Sequence, residues 1–371
     1  MRIVWVWVCA LLVRAQHQHD AYDVILVGLG TAGSIVAANL ALEFPQLRIL
    51  VLEAGPPLGA SVGGTFFPDF PDQVPNVTMF DIPGEYSALA YQGRGSAYKL
   101  KESPFTFQGM GWGGNSEFNG MWVQVPLPSE FTEKWPSFWS FDHVRPYFER
   151  IRKKTWITES FEHFDEGMLH VYQVTAGIFQ KMNATEQSAF RLRRTKQNEY
   201  MRPTVTARNG LRAGPVSDWL EKALAQSNNL EIVSLAKVQE IVWRDVDGQL
   251  EAVGVLYQKR SQIDDSTDPS VSKHYATVFP SKGRIILAAG ALQTTRILYM
   301  SGVVNPVFSQ EHIFRKCPEL KPEKRLNLRG FGVVFDHIGT SIVLTNSAVK
   351  SFYASKYGQN SKELKQYGTF V

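Results

Sequence analysis

The sequence predicts an α/β fold on three observations. Short, mostly apolar runs at 22–27, 47–52 and 284–289 have the length and the Val/Ile/Leu richness of strands buried on both faces, as parallel strands are. A glycine turn follows the first run at once and another follows the last. Each turn leads into a stretch of helical character, so strand, turn and helix alternate as in α/β units.

With 371 residues, 44% apolar and 20% charged, the chain is long enough for a sizeable core and, on length, two domains. Twelve per cent aromatics with mixed charge argue against global disorder, and 29 Gly with 19 Pro are too few for a fibrous protein. The formal charge is +4, but Arg2 and Arg14 lie in a segment expected to be removed. The remainder carries 37 Lys+Arg (39 minus 2) against 35 Asp+Glu, a net of +2. That gives little reason to expect nucleic acid or anionic lipid as a partner.

Arg2, the apolar run from Ile3 to Val13 and the ending Val13-Arg14-Ala15 read as a secretory signal over 1–15, so the protein is expected to be secreted. An N-terminal anchor or a hydrophobic first strand is the alternative. No later segment reaches the roughly 20 apolar residues that a spanning helix needs, so no membrane span is expected. Cys9 falls inside the signal, which leaves Cys317 alone in a plain loop context and excludes both an internal disulfide and a Cys-rich metal site. Asn76-Val77-Thr78 and Asn183-Ala184-Thr185 are glycosylation sequons that fit a secreted protein.

The element order from Ala21 to Leu58 carries the strongest local signal. Tyr22 to Val27 is a strand, Gly28-Leu29-Gly30-Thr31-Ala32-Gly33 a turn, Ser34 to Glu43 a helix, and Leu47 to Leu52 a second strand ending at Glu53. Gly28 permits the tight turn, Gly30 lets backbone approach a pyrophosphate, and Gly33 lets helix and strand pack closely. The helix N-terminus, with Thr31 and Ala32, offers unpaired N–H groups and a positive dipole end to phosphates. Glu53, 20 residues past Gly33, is placed to accept hydrogen bonds from ribose hydroxyls. These residues indicate nucleotide binding with a free 2′-hydroxyl, and by themselves leave NAD and FAD both open.

Farther along, Phe105 to Trp122 mixes five glycines with large apolar residues, as expected of a buried segment lining a ligand. Trp135 to Phe141 leads into a helix over about 143–151 whose apolar face includes Val144, Phe148 and Ile151, an aromatic set expected to be core. From Glu159 to Glu199 the chain is polar and helix-prone. Leu230 to Trp243 and Leu250 to Gln258 read as strands joined by an Asp247-Gly248 turn, with Thr277 to Phe279 a possible third. The Ser/Asp/Lys-rich stretch between Arg260 and Lys273 reads as a surface loop. Arg284 to Ala289 is a further buried strand, running through Gly290 into a helix from Leu292 to Met300.

In this order the motifs resemble the N-terminal and middle part of glucose-methanol-choline (GMC) oxidoreductases. Gly28, Gly30 and Gly33 with Glu53 match the family's FAD fingerprint, and Gly113-Gly114-Asn115-Ser116-Glu117-Phe118-Asn119-Gly120-Met121 is similar to its first signature. Trp135 to Phe148 resembles the Trp-rich passage into the family's substrate domain, and Gly210-Leu211-Arg212 a common Gly-x-Arg. Val238 falls where the family contacts adenine through main chain, Gly290 to Gly302 resembles the second signature, and Asp336-His337 the Asp-His pair. Thr295 stands where the family has proline, and Phe331 where a glycine is usual.

The resemblance implies FAD as cofactor and Gly28, Gly30, Thr31, Ala32, Gly33, Glu53, Gly113, Gly114, Asn115, Asn119, Gly120, Met121, Val238 and Gly290 as cofactor-binding. It implies a small alcohol or sugar as substrate, hydride passing to flavin N5, and a quinone, dye or oxygen as electron acceptor. The family's catalytic base is a histidine with a histidine or asparagine partner in a later stretch, so no catalytic residue is assigned in this chain. His17, His19, His143, His163, His170, His274, His312 and His337 match no such position.

The expected organisation is a signal at 1–15, a discontinuous Rossmann-like FAD-binding domain at 20–125 and 206–340, and an incomplete α+β substrate domain at 126–205 and 341–371. Two hypotheses follow: an alcohol or sugar oxidoreductase present as a fragment without its C-terminal base, and a non-catalytic secreted flavin-binding or interaction protein. An NAD dehydrogenase would give the segment from Phe105 to Trp122 no natural role.

Overall fold

In a computed structural model of the chain, the described residues are 21–68, 76–90, 99–101, 107–123, 126–131, 135–155, 157–159, 166–187, 198–201, 204–247, 249–259, 273–304 and 326–327. The expected signal, Cys317, Phe331, Asp336, His337, the expected loop at 261–272 and the segment 341–371 lie outside them. The described residues of Met1–Pro57, Ala97–Asn115 and Leu220–Gly339 form one compact unit, and those of Leu58–Ser96 and Ser116–Trp219 a second. The internal boundaries expected from the sequence fall at 125/126 and 205/206; contacts group the described residues of 58–96, 116–125 and 206–219 with the second unit.

The first unit contains, in chain order, β1 (Val24–Val27), α1 (Thr31–Glu43), β2 (Ile49–Leu52), α2 (Glu221–Gln226), β3 (Leu230–Val233), β4 (Ala236–Val246), β5 (Gln249–Lys259), β6 (Lys273–Thr277), β7 (Arg284–Leu287) and α3 (Gly290–Met300). One sheet runs β3-β2-β1-β7 with every pairing parallel. Strands adjacent in this 3-2-1-4 sense place a crossover between the first two strands and a reversal beside β1, the arrangement of dinucleotide-binding α/β sheets. Every residue of β1 and β2 is buried, which is why both strands read as continuous apolar runs.

The face that α1 buries consists of Gly33, Ser34, Ala37, Ala38 and Ala41. Small residues at helical spacing let its backbone lie close to its neighbours, and Ser34 ties its hydroxyl to the Leu29 carbonyl at 2.9 Å. A second, antiparallel sheet runs β4-β5-β6. Val246 pairs with Gln249 and Asp247 has φ 51°, the two-residue connection that the Asp-Gly signal predicts. Both sheets and α3 contribute to one core, through Ile25, Val27, Leu50 and Leu52, then Val238, Ile241 and Val255, then Ile297.

Two element assignments change. The run from Leu230 to Trp243 is two strands in two different sheets, broken where Leu235 takes φ 55°. The alternating pattern marks extended chain and carries no sign of which sheet each half joins. The helices α1 and α3 also start earlier than expected, at Thr31 and Gly290. Thr295 does not interrupt α3; its hydroxyl bonds back to the Ala291 carbonyl at 2.7 Å.

In the second unit, the helix Phe141–Lys154 forms where expected, but none of its residues is buried. Trp135, Phe138, Trp139 and Tyr147 are exposed as well, so this aromatic set is not core. Its rings meet one another instead: Trp135 stacks on Trp139 at 5.7 Å, and Phe131 lies 5.7 Å from Phe141 and 6.0 Å from Phe148. Periodicity shows which face of a helix is apolar, not what covers it. A second helix, Glu166–Lys181, falls in the polar stretch. Among the described residues, no helix is long and apolar enough to cross a membrane.

Candidate functional site

The glycine turns of the first unit come together. After β1 the chain turns at Gly28, with φ 95°, where a Cβ would sit 2.7 Å from the Ala288 carbonyl oxygen. Only glycine accepts both that conformation and that approach. The missing Gly33 side chain likewise leaves room for the Gly28 carbonyl.

The second glycine motif meets the first backbone to backbone. Gly30 and Gly113 form a parallel bridge, and the Gly113 N–H donates to the Leu29 carbonyl at 2.8 Å. Gly114, at φ 53°, would carry a Cβ 2.8 Å from Gly30 Cα. The third turn closes the group from the β7 side: Ala288 N–H donates to Val27 O at 2.8 Å, and the Gln108 side chain donates to the Ala289 carbonyl and fills the space beside Gly290. Three turns spread over about 260 residues of sequence thus share one place in the first unit.

Glu53 ends β2 at this place and is buried. Its carboxylate accepts the Leu29 N–H at 2.7 Å and the Gly55 N–H at 2.8 Å. Burial pushes its pKa up to about 7, against the pull of those backbone donors. The chain returns past it at the β3–β4 turn, where Ala236 N–H donates to the Glu53 carbonyl at 2.8 Å. Val238 is two residues on, its side chain in the core, beside the irregularity in pairing between Val238 and Glu240.

The N-terminus of α1 opens from the same turn. Gly30 occupies the cap position without any side-chain cap, and Thr31 and Ala32 are exposed. The positive end of the helix dipole makes such a terminus an anion-binding position. Asn115 is exposed at its backbone end of the second glycine motif, its Oδ1 accepting the Gly109 N–H at 2.6 Å.

Asn119, Gly120 and Met121 belong to the second unit. Asn119 Oδ1 accepts the Met121 N–H at 3.0 Å, Met121 has φ 63°, and the Met121 carbonyl accepts the Thr206 N–H at 3.0 Å. Close by in the same unit is a buried charged group whose pairing no sequence motif indicated. Arg212 is 8% exposed, Glu117 is also 8% exposed, and both feel the charge of Asp81. Burial raises the Glu117 pKa to about 7 while Arg212 draws it down; burial lowers that of Arg212 while the two carboxylates hold it up.

Of the expected positions, the structure gathers Gly28, Gly30, Gly33, Glu53, Gly113, Gly114 and Gly290 around the first-unit turn, with Thr31 and Ala32 at the head of α1. Sequence reasoning missed Gln108, which joins the second and third turns, and Trp112, whose indole N–H donates to Ser234 Oγ at 2.9 Å. Neither residue type carries a motif signal. Arg212 had one, the Gly-x-Arg tripeptide, but its contacts are 93 to 132 residues away in sequence. Among the described residues, no group of three or more His, Cys, Asp or Glu could hold a metal ion.

Comparison with known proteins agrees with this geometry. A family profile described as GMC oxidoreductase matches residues 86–322, more than half of the chain. Oxygen-dependent choline dehydrogenase 1 of Chromohalobacter salexigens is 27% identical over 319 residues, covering 79% of this chain and 50% of that protein. Oxygen-dependent choline dehydrogenase of Escherichia coli (strain SMS-3-5 / SECEC) is 28% identical over 298 residues, covering 76% and 48%. The chain spans about half the length of the curated relatives it matches.

Among solved structures, pyridoxine 4-oxidase from Mesorbium loti superposes with a TM-score of 0.54 at 20% identity, over 76% of this chain and 52% of that one. A formate oxidase of Aspergillus oryzae gives 0.56 at 18% identity, over 80% and 50%. Those identities speak for the fold, and the profile match for the family: the chain belongs to the GMC oxidoreductases, with FAD as the cofactor.

Proposed function

We propose that this chain binds FAD at the first-unit glycine turns and serves the oxidation of the CH–OH group of a small alcohol or sugar. One observation carries the reading: the Gly28–Gly33 turn, backed by Gly113 and Gly114, leaves the α1 N-terminus uncapped and places a buried carboxylate at its base. These residues fit the group. The exposed head of α1 suits a pyrophosphate, Glu53 ends β2 where an acid facing ribose hydroxyls is expected, and a Cβ at Gly114 would close the approach to Gly30.

When bound, FAD supplies a hydride acceptor for the alcohol carbon. The chain's own part is to hold the dinucleotide at the first unit: Gly28, Gly30, Thr31, Ala32 and Gly33 at the phosphates, Glu53 at the ribose, Val238 and Gly290 on either side, and Gly113, Gly114 and Asn115 from the second motif. The hydroxyl proton is assigned to no described residue. His143 is engaged with Ser140 Oγ at 2.6 Å and the His274 ring stacks on Tyr257 at 5.4 Å. The names of the choline dehydrogenase relatives favour a small alcohol over a sugar.

The test is titration of the purified chain with FAD, followed by dye-coupled oxidation of choline and of simple sugars. Flavin absorbance that remains with the protein through gel filtration supports the cofactor role; its absence overturns it. Retained flavin without turnover is the outcome expected of a chain in which no catalytic base is assigned; dye-coupled turnover by the chain alone would overturn that assignment.

Secretion is part of the proposal. It rests on the apolar N-terminus and on two exposed sequon asparagines in left-handed turns, Asn76 at φ 64° and Asn183 at φ 59°. A mobility shift of secreted material on treatment with a glycosidase tests it.

A further inference from the structure

We infer that Trp112 is a positioning residue for the adenosine half of the cofactor: its indole ties the β3–β4 turn to the glycine segment that borders Glu53. This rests on the FAD reading above, and every residue involved belongs to the first unit.

The β3–β4 turn is a place where the backbone needs holding. Leu235 lies between the two strands at φ 55°, where the chain leaves one sheet for the other. A bulky residue keeps that conformation only where its surroundings over-determine it. Two backbone bonds contribute: the Leu235 N–H donates to the Gly55 carbonyl at 3.3 Å and the Ala236 N–H to the Glu53 carbonyl at 2.8 Å. A side-chain bond adds to them, from the Trp112 indole N–H to Ser234 Oγ at 2.9 Å, between residues 122 apart in sequence.

Trp112 is itself anchored to the Glu53 strand. Its backbone N–H donates to the Pro56 carbonyl at 3.1 Å, and the next N–H, of Gly113, to the Leu29 carbonyl at 2.8 Å. The backbone at 110–111 runs so close to Gly55 that a Cβ there would overlap the Met110 carbonyl. Burial pushes the Glu53 carboxyl up, and the backbone N–H groups of Leu29, Gly55, Gly111 and Ala54 pull it back. The residue before Trp112 is thus one of the donors that steady this carboxylate. Chain from 29–30, 53–56, 110–113 and 234–236 closes around it, and the indole bond joins the last two of these stretches.

A ring that merely filled space would need no donor. The indole has a single N–H and no acceptor, and here it is committed to a hydroxyl on the strained turn that leads toward Val238. Phenylalanine would keep the ring and lose that tie.

The test uses the full chain with Trp112→Phe, which removes the donor, Ser234→Ala, which removes the acceptor, and the double variant. Affinity for FAD, and for ADP as a probe without the flavin, is read by calorimetric titration below and above about pH 7, with thermal melts to check folding. Each single variant should bind FAD and ADP about fivefold more weakly, the loss of one neutral hydrogen bond. The double variant should lose little more than either single one, since both break the same bond. The pH at which FAD affinity rises should also move upward, because a loosened Gly111 N–H no longer pulls the Glu53 carboxyl down.

Unchanged affinities and pH profile in both single variants would overturn the inference, while FAD binding by the unsubstituted chain would leave the cofactor reading standing. A lower melting temperature with unchanged nucleotide affinity would overturn it too, making Trp112 a packing residue. Weakened FAD with unaffected ADP would overturn the assignment to the adenosine half. Should Trp112→Phe fail to fold, Ser234→Ala decides by the same readings. If the unsubstituted chain binds neither FAD nor ADP, the cofactor reading falls and this inference with it.

Discussion

β1 and the helix Phe141–Lys154 are both recognisable as regular elements from their residue patterns, yet every residue of the first is buried and none of the second is. β1 sits between β2 and β7 with a partner on each side. The helix holds its aromatic rings among themselves and toward solvent. Local pattern therefore predicts an element equally well in both regions, but predicts its energetic weight only in the first.

Substitutions in the two regions should differ accordingly. The largest effect is expected at Gly33, where a side chain would drive into the Gly28 carbonyl: Gly33→Val should cost about 3 kcal/mol or more and remove FAD binding, read by a thermal melt and a flavin titration. Leu26 is fully buried in β1, and Leu26→Ala should cost about 3 kcal/mol in denaturant unfolding.

A comparable effect should appear without any mutation. Glu53 and Glu117 have pKa values raised to about 7, so the folded state binds protons more tightly than the unfolded one, whose carboxyls titrate near 4.5. Their contribution to stability is present below about 4.5 and is lost as pH rises to about 7. For Glu53 the loss is on the order of 3 kcal/mol. Glu53→Gln should flatten its share of that slope in pH-dependent unfolding of the flavin-free chain. Because the ionised carboxylate is the better acceptor for ribose, FAD should bind the unsubstituted chain more tightly above about pH 7 than below it, and the Gln variant should lose that trend.

The smallest effects belong to the helix Phe141–Lys154. Tyr147 is 61% exposed, and Tyr147→Ser should change stability by no more than about 0.5 kcal/mol. Breaking the exposed Arg145–Glu149 pair, 3.0 Å apart, should cost less still, within about 0.5 kcal/mol, and vanish in high salt. A cost at Tyr147 matching that at Leu26 would mean that the aromatic face is covered in solution.

Within the site, legibility followed the same division. Gly28, Gly30, Gly33 and Glu53 could be read in advance because strand, turn, helix and acid fall within a few dozen residues and each residue type has a local reason. Gly113 and Gly114 were legible as part of a glycine-rich ligand-lining segment and Gly290 as a strand-ending turn, but what they meet, Gly30 and Gln108, lies across long separations. Gln108, Trp112 and the buried Glu117 lie within the glycine-rich segment Phe105 to Trp122, but nothing local marked their individual contacts. The split of 230–243 between two sheets was equally invisible, because extended chain looks the same on either side of Leu235.

Short-range sterics and periodicity act within neighbouring residues, so the β-α-β unit, its glycine turn and its terminal carboxylate follow from local sequence. That three distant glycine turns share one place, that Arg212 serves carbonyls 93 to 132 residues away, and that no residue of Phe141–Lys154 is buried are outcomes of the folded chain. Burial, close approach and carboxyl pKa are properties of what surrounds a residue, and chain closure over a hundred residues, not local propensity, sets those surroundings.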